Sequence, residues 1–344
     1  MNMQAFYQRD VRLECGHTLS EVRTAYLTLG TLAADGRNAV LVTHGYTSGP
    51  DMLDPTADTA EGAWDAVVGP GRPIDTDRFF VVCPNALGSS YGSTNAASID
   101  PATGRAYGSR FPVITMADIV AGQRALLDHL GVKHLVVVIG PSFGGAQVFQ
   151  WGVDHPDLMD ALVPVVASPS MPQANVADLQ AKLGAEPRWR GGDYYDDAAA
   201  MVPFLTAMRI GTLTAYGIDT LLADRFADAG ARAVEVQRLA RVWAEVFDAN
   251  SLLILLRAIA SFDVTARLKR IRAPLLYVLS RTDRLFPPTL APEVMARLER
   301  AGVDARYFEI DSEHGHFASG TDAAKWEPVL RDFLAHAGSA ERAA

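Results

Sequence analysis

The sequence predicts a mostly parallel, doubly wound α/β sheet interrupted by a helical insertion. Three observations carry this. Short runs that are apolar at almost every position recur along the chain, helical patterns lie between several of them, and residues 171–258 show helical patterns alone. Strands apolar on both faces belong to parallel sheets covered on two sides. Alternation of such strands with helices gives a doubly wound architecture.

Strands are read at 39–44 (AVLVTH), 79–83 (FFVVC), 134–140 (HLVVVIG), 161–167 (ALVPVVA), 274–280 (PLLYVLS) and 305–310 (ARYFEI). Leu13 to Leu29 reads as an N-terminal antiparallel hairpin. Residues 116–131 (MADIVAGQRALLDHLG) and 289–302 (TLAPEVMARLERAG) carry apolar positions at helical spacing and finish at or near glycine, a helix stop signal. The expected division is a core of residues 1–170 and 259–344, with residues 171–258 inserted as a helical cap. Ligands of such sheets bind beyond the carboxyl ends of the strands, so a cap there would roof the site. Residues 85–111 form a long loop rich in Gly, Ser, Asn and Ala, and ordered loops of that length are often functional.

Composition narrows the functions. The 344 residues are 49% hydrophobic and 21% charged, enough for a sizeable core without disulfides. A net charge of −9 argues against nucleic acid and anionic membrane as partners, since both require a basic footprint. The two cysteines, Cys15 and Cys83, fit no metal or redox spacing, and a reduced compartment is the default. The N-terminus lacks the charged and apolar regions of a secretory signal. The nearest approach to a membrane span is 251–260 (SLLILLRAIA), which is short and holds Arg257. A cytoplasmic protein is expected.

Gly140-Pro141-Ser142-Phe143-Gly144 fits G-x-S-x-G. Three fixed positions of this kind recur by chance in roughly one chain in ten of this length. The context adds weight, because the motif joins an apolar strand to a helical pattern, as a nucleophile elbow must. A serine hydroxyl needs a base. Of the downstream histidines, His155 falls near the end of the elbow helix and His336 in the C-terminal segment. His314 and His316 follow the strand at 305–310, and His316 is favoured for its place in a Gly-His-Phe turn. Asp283 lies in the loop after the preceding strand, where the acid is expected; Asp263 precedes that strand, and Asp311 is too near the histidine in sequence. The acid would hold the imidazole tautomer. Backbone N–H groups of Phe143 and of Tyr46, in the His44-Gly45-Tyr46 loop, are the expected oxyanion donors.

With these residues in place the chain resembles the homoserine O-acetyltransferase family of α/β-hydrolases. The likeness runs through 64–115, the elbow, 189–195 (WRGGDYY), 281–288 (RTDRLFPP) and Gly315-His316. It implies Ser142, Asp283 and His316 as a triad, an acyl-serine intermediate, a helical cap, and homodimers formed through that cap. Two positions depart from the family pattern. Phe317 stands where the transferases follow the histidine with aspartate, and Met208 aligns with an arginine that meets the substrate carboxylate; Arg209 is its neighbour. One helical residue is a rotation of about 100°. Phe317 and Met208 together suggest an apolar acceptor pocket.

The expectation is therefore a serine carboxylesterase acting on short acyl esters, with no cofactor and no metal. Its alternative is an O-acetyltransferase using acetyl-CoA and an alcohol acceptor. Trp189, Tyr194 and Tyr195 read as cap packing, and Asp219, Asp224 and Asp228 as a solvated face.

Overall fold

The computed structural model describes residues 2–57, 63–171 and 174–340. Eight strands form the central sheet: β1 (Gln4–Arg12), β2 (Thr18–Leu29), β3 (Ala39–Val42), β4 (Phe80–Pro84), β5 (Leu135–Pro141), β6 (Leu162–Val165), β7 (Leu275–Ser280) and β8 (Ala305–Ile310). Their order across the sheet is β1-β2-β4-β3-β5-β6-β7-β8. From β4 to β8 every pairing is parallel. The β1–β2 hairpin joins antiparallel at β4.

The central strands are buried along nearly their whole length, as their unbroken apolar runs require. The helices are α1 (Met116–His129), α2 (Phe143–Asp154), α3 (Val176–Gly184), α4 (Val202–Tyr216), α5 (Ile218–Ala223), α6 (Ala229–Ala244), α7 (Ala249–Ala260), α8 (Ala291–Arg300), α9 (Ala318–Thr321) and α10 (Ala323–Ala340). Helices α3 to α7 all fall between β6 and β7, so the stretch read as an insertion holds helices joined by short turns, with no strand among its described residues. Local chemistry sets their limits. Asn175, Asp228 and Asp248 cap the first turns of α3, α6 and α7 by accepting backbone N–H bonds. Gly217, at φ 96°, ends α4 in the left-handed conformation that favours glycine.

The sequence placed the N-terminal hairpin too late. Residues 13–17 are its turn, closed by the Leu13 N–H to the His17 carbonyl at 2.8 Å, and its first strand is Gln4–Arg12. That strand lies at the sheet edge with most side chains exposed, so it carries no apolar alternation to read. A second correction concerns apolar length. Residues 251–260 are not the nearest approach: among the described residues the helix that is long and apolar enough to cross a membrane, by length and composition alone, is 195–216. It departs from helical geometry at Asp197, and its C-terminal part is α4, which carries the buried Arg209.

Candidate active site

Ser142 sits between β5 and α2 with φ 57° and ψ −119°. A non-glycine residue in that region is strained by about 1–3 kcal/mol, and such strain collects at functional positions. Close approach explains the flanking glycines. A Cβ on Gly140 would lie 2.1 Å from the Thr43 hydroxyl oxygen, and one on Gly144 would lie 2.3 Å from the Thr43 carbonyl oxygen. The Thr43 hydroxyl itself donates to the Gly144 carbonyl at 2.9 Å, tying the end of β3 to the elbow. Phe143 opens α2, and the first N–H groups of a helix have no acceptor within it.

Asp283 and His316 meet. Oδ2 of Asp283 is 2.7 Å from Nδ1 of His316, and both residues are buried. Oδ1 accepts the backbone N–H groups of Leu285 at 2.8 Å and Phe286 at 3.2 Å. Burial pushes the Asp283 carboxyl up, but the His316 charge, its hydrogen bond and those two N–H groups outweigh this and leave it below the ordinary value. The imidazole lies between two aromatic rings, Tyr216 at 4.7 Å and Phe286 at 5.9 Å between centroids. Ser142, Asp283 and His316 therefore all sit beyond the carboxyl ends of parallel strands β5, β7 and β8, on one edge of the sheet.

The loop from His44 to Gly49 is held from several sides. His44 Nε2 accepts the Ala86 N–H at 2.9 Å, and Nδ1 lies 2.8 Å from the Gly45 carbonyl, which fixes the proton on Nδ1. The Tyr46 hydroxyl donates to the Leu252 carbonyl of α7 at 2.6 Å, and burial pushes its phenol up. The Thr47 carbonyl accepts Trp243 Nε1–H at 2.9 Å and the Tyr91 hydroxyl at 3.1 Å. Its hydroxyl oxygen accepts Arg209 Nη1–H at 2.8 Å. The Tyr46 and Phe143 rings meet edge to face, 6.5 Å apart.

On α4 it is Arg209, the neighbour of the aligned Met208, that faces inward. The buried face of α4 is Leu205, Thr206, Arg209, Leu213 and Tyr216, a spacing of one helical stripe. Arg209 is therefore buried, stacked over Trp243 at 4.9 Å, while Met208 is half-buried against the main core. Phe317 is buried among Leu213, Tyr216, Ile218, Leu222, Leu239 and Ala240, every one of them from the helical insertion.

The competing residues are occupied elsewhere. Asp263 caps its own turn by accepting the Thr265 N–H at 2.8 Å, and Asp311 pairs with Arg281 at 2.6 Å. His155 ends α2 against Trp151, with burial pushing its pKa down. The Nδ1 of exposed His336 bonds the Asp332 carbonyl at 2.7 Å. His314 lies between Asp224 and Asp322, with one ring nitrogen 2.9 Å from each. Asp224 therefore does more than face solvent. Asp219 pairs with Arg232 and Asp228 caps α6. Trp189 Nε1–H donates to Asn250, and the Tyr194 hydroxyl to Asp248, as packing residues do. Sequence reasoning missed Thr47, Tyr216, Trp243 and Phe286. None has a fixed spacing from the elbow, so only the fold brings them in.

A family model for the alpha/beta hydrolase fold matches residues 38–323. A homoserine O-acetyltransferase of Haemophilus influenzae is 38% identical over 356 residues, covering 97% of this chain and 98% of its own. One from Moorella thermoacetica is 36% identical, covering 94% and 93%. Among solved structures, esterase E22 superposes with TM-score 0.86 at 25% identity, covering 97% of this chain and 99% of its own. The homoserine O-acetyltransferase from Bacillus anthracis gives 0.81 at 27%, covering 97% of each. The sheet order, the elbow and these likenesses agree: this chain is an α/β-hydrolase-fold enzyme and belongs to the homoserine O-acetyltransferase family.

Proposed function

We propose that the protein transfers a short acyl group through Ser142, from an acyl-CoA thioester to an alcohol. The observation that carries this reading is the buried 2.7 Å contact between Asp283 and His316, beyond strand ends that share an edge with the strained Ser142. Asp283 holds the proton on Nδ1, leaving Nε2 as the basic nitrogen. Ser142 Oγ attacks the thioester carbonyl as His316 takes its proton. Backbone N–H groups of Tyr46 and Phe143 receive the oxyanion. The thiol leaves with that proton. The acceptor hydroxyl then attacks the acyl-serine, giving its proton to His316, which returns it to Ser142.

The relatives' names support transfer ahead of hydrolysis, although the sequence ranked hydrolysis first. The buried Arg209 supports it too, since a guanidinium beside the loop of Tyr46 suits a carboxylate on the acceptor. A second reading keeps the same residues and lets water resolve the acyl-enzyme. The apolar Phe317 and the likeness to esterase E22 favour it.

One pair of assays tests the reading. Purified protein is given acetyl-CoA with homoserine or a simple hydroxy acid, and separately p-nitrophenyl acetate in water. Acetyl transfer that exceeds hydrolysis supports the proposal; rapid ester hydrolysis without transfer to any alcohol overturns it in favour of the esterase.

We also propose a homodimer through the helical insertion. Pro203, Ala207, Gly211 and Thr214 form an exposed, largely apolar stripe along α4. Beside it lies a cleft of about 440 Å³ lined by residues of α4 and α6.

A further inference from the structure

Four consecutive residues, 314 to 317, touch one corner of the helical insertion, which runs from the end of α4 along α5 to its closing residue Asp224. His314 Nε2 is 2.9 Å from Oδ2 of Asp224, which closes α5. Gly315 adopts φ 56°, and a Cβ there would lie 2.7 Å from the Tyr216 carbonyl oxygen. The His316 ring lies against the Tyr216 ring. Phe317 fills the insertion's small apolar cluster and meets Tyr216 edge to face at 5.9 Å. On the other side the core holds the same loop. Gly315 N–H donates to the Thr282 hydroxyl oxygen at 3.0 Å, next to Asp283.

We propose that the α4–α5 corner is a clamp on the loop of His316, with His314 as its ionic grip, Phe317 as its apolar grip, and both as positioning residues. The proposal rests on His316 being the base. Movement of the insertion then moves the imidazole relative to Ser142.

The ionic grip has a definite protonation requirement. Nδ1 of His314 faces Oδ2 of Asp322 at 2.9 Å, so carboxylates stand at both ring nitrogens. An imidazole with one proton donates to only one of them; the doubly protonated ring donates to both. The other groups at this point are the Ser312 hydroxyl, which donates to the same Asp322 oxygen, and Lys325 of α10, whose Nζ is 3.4 Å from it. The neighbouring Glu313 is engaged by Arg281. His316 faces Asp283 instead. The doubly protonated ring therefore joins Asp224 to Asp322, while the apolar grip at Phe317 does not depend on charge.

The test compares wild type with Asp224→Asn and Phe317→Ala. Asp224 is exposed, so its amide variant keeps the fold. Two readouts are taken at pH 6 and pH 8.5: hydrogen exchange of the peptide spanning 312–317, and the rate of Ser142 labelling by a fluorophosphonate. Asp224→Asn should raise exchange and slow labelling about three- to ten-fold at pH 6, with little change at pH 8.5. Phe317→Ala should do both at either pH. Unchanged exchange in Asp224→Asn at pH 6 overturns the clamp, as does an equal effect at the two pH values. A wild type that the probe does not label counts against Ser142 as nucleophile, and exchange alone then decides the clamp.

Discussion

The two oxygens of Asp283 divide their work: Oδ2 meets His316 Nδ1 at 2.7 Å, and Oδ1 accepts the N–H groups of Leu285 and Phe286. The carboxylate is thereby fixed in direction as well as in charge. Asp283→Asn should reduce kcat by about 10³- to 10⁴-fold, because an amide donor facing Nδ1 selects the wrong tautomer. Ser142→Ala should cost at least as much and abolish phosphonate labelling. Steady-state kinetics on either substrate pair checks both.

The same carboxylate predicts how stability depends on pH. Its folded-state value is depressed, so its contribution is present above the ordinary carboxylate range near 4. It is lost as pH falls through the lower, folded value. Urea unfolding between pH 7 and pH 2.5 should show this loss in wild type. In Asp283→Asn the loss should be reduced by the share that belongs to this group.

Under the proposed transfer, Arg209 separates binding of an anionic acceptor from the chemistry at Ser142. A charge-assisted contact contributes about 1.5–3 kcal/mol. Arg209→Met should therefore raise KM for a carboxylate-bearing acceptor by about 10- to 150-fold. Turnover of a neutral p-nitrophenyl ester should change far less. Met208→Ala, off the buried stripe, should leave acceptor KM within about two-fold. Equal effects of Arg209→Met on both substrates would assign Arg209 to holding Thr47 alone.

Tyr46 ties the loop beside the Ser142 elbow to α7 through its 2.6 Å bond to the Leu252 carbonyl. Tyr46→Phe should lower stability by about 0.5–1.5 kcal/mol, measured by denaturant unfolding. The backbone donor at this position survives the change, so kcat should fall by less than the 10²- to 10³-fold typical of losing an oxyanion donor.

The exposed stripe on α4 predicts the oligomeric state. Sedimentation should give a dimer, and Ala207→Arg should shift it to monomer without lowering the unfolding midpoint. Ala207 is exposed, so a charge there burdens only an interface.

Much of this was legible in the sequence. The buried strands announced themselves because a two-sided sheet allows no polar position, and the elbow because its glycines answer a steric demand from Thr43. Chain order pointed to Asp283 and to His314 or His316, and the Gly-His-Phe turn favoured His316, whose Nδ1 meets Asp283. What stayed hidden was rotational and long-range. Alignment put Met208 opposite the family arginine, but the stripe of Leu205, Leu213 and Tyr216 decides which neighbour turns inward, and it chose Arg209. The edge strand β1 was silent because solvent covers it. The contact of His314 with Asp224 spans 90 residues and has no local signature.

Phe317 has one further consequence, for anyone who would redesign the enzyme. Among the described residues it is the only member of its apolar cluster that comes from outside the helical insertion. Exchanging it for aspartate would leave a carboxylate among Leu213, Ile218, Leu222 and Leu239. A carboxylate introduced at 317 by substitution alone should loosen α4, α5 and α6 before it gives a new specificity.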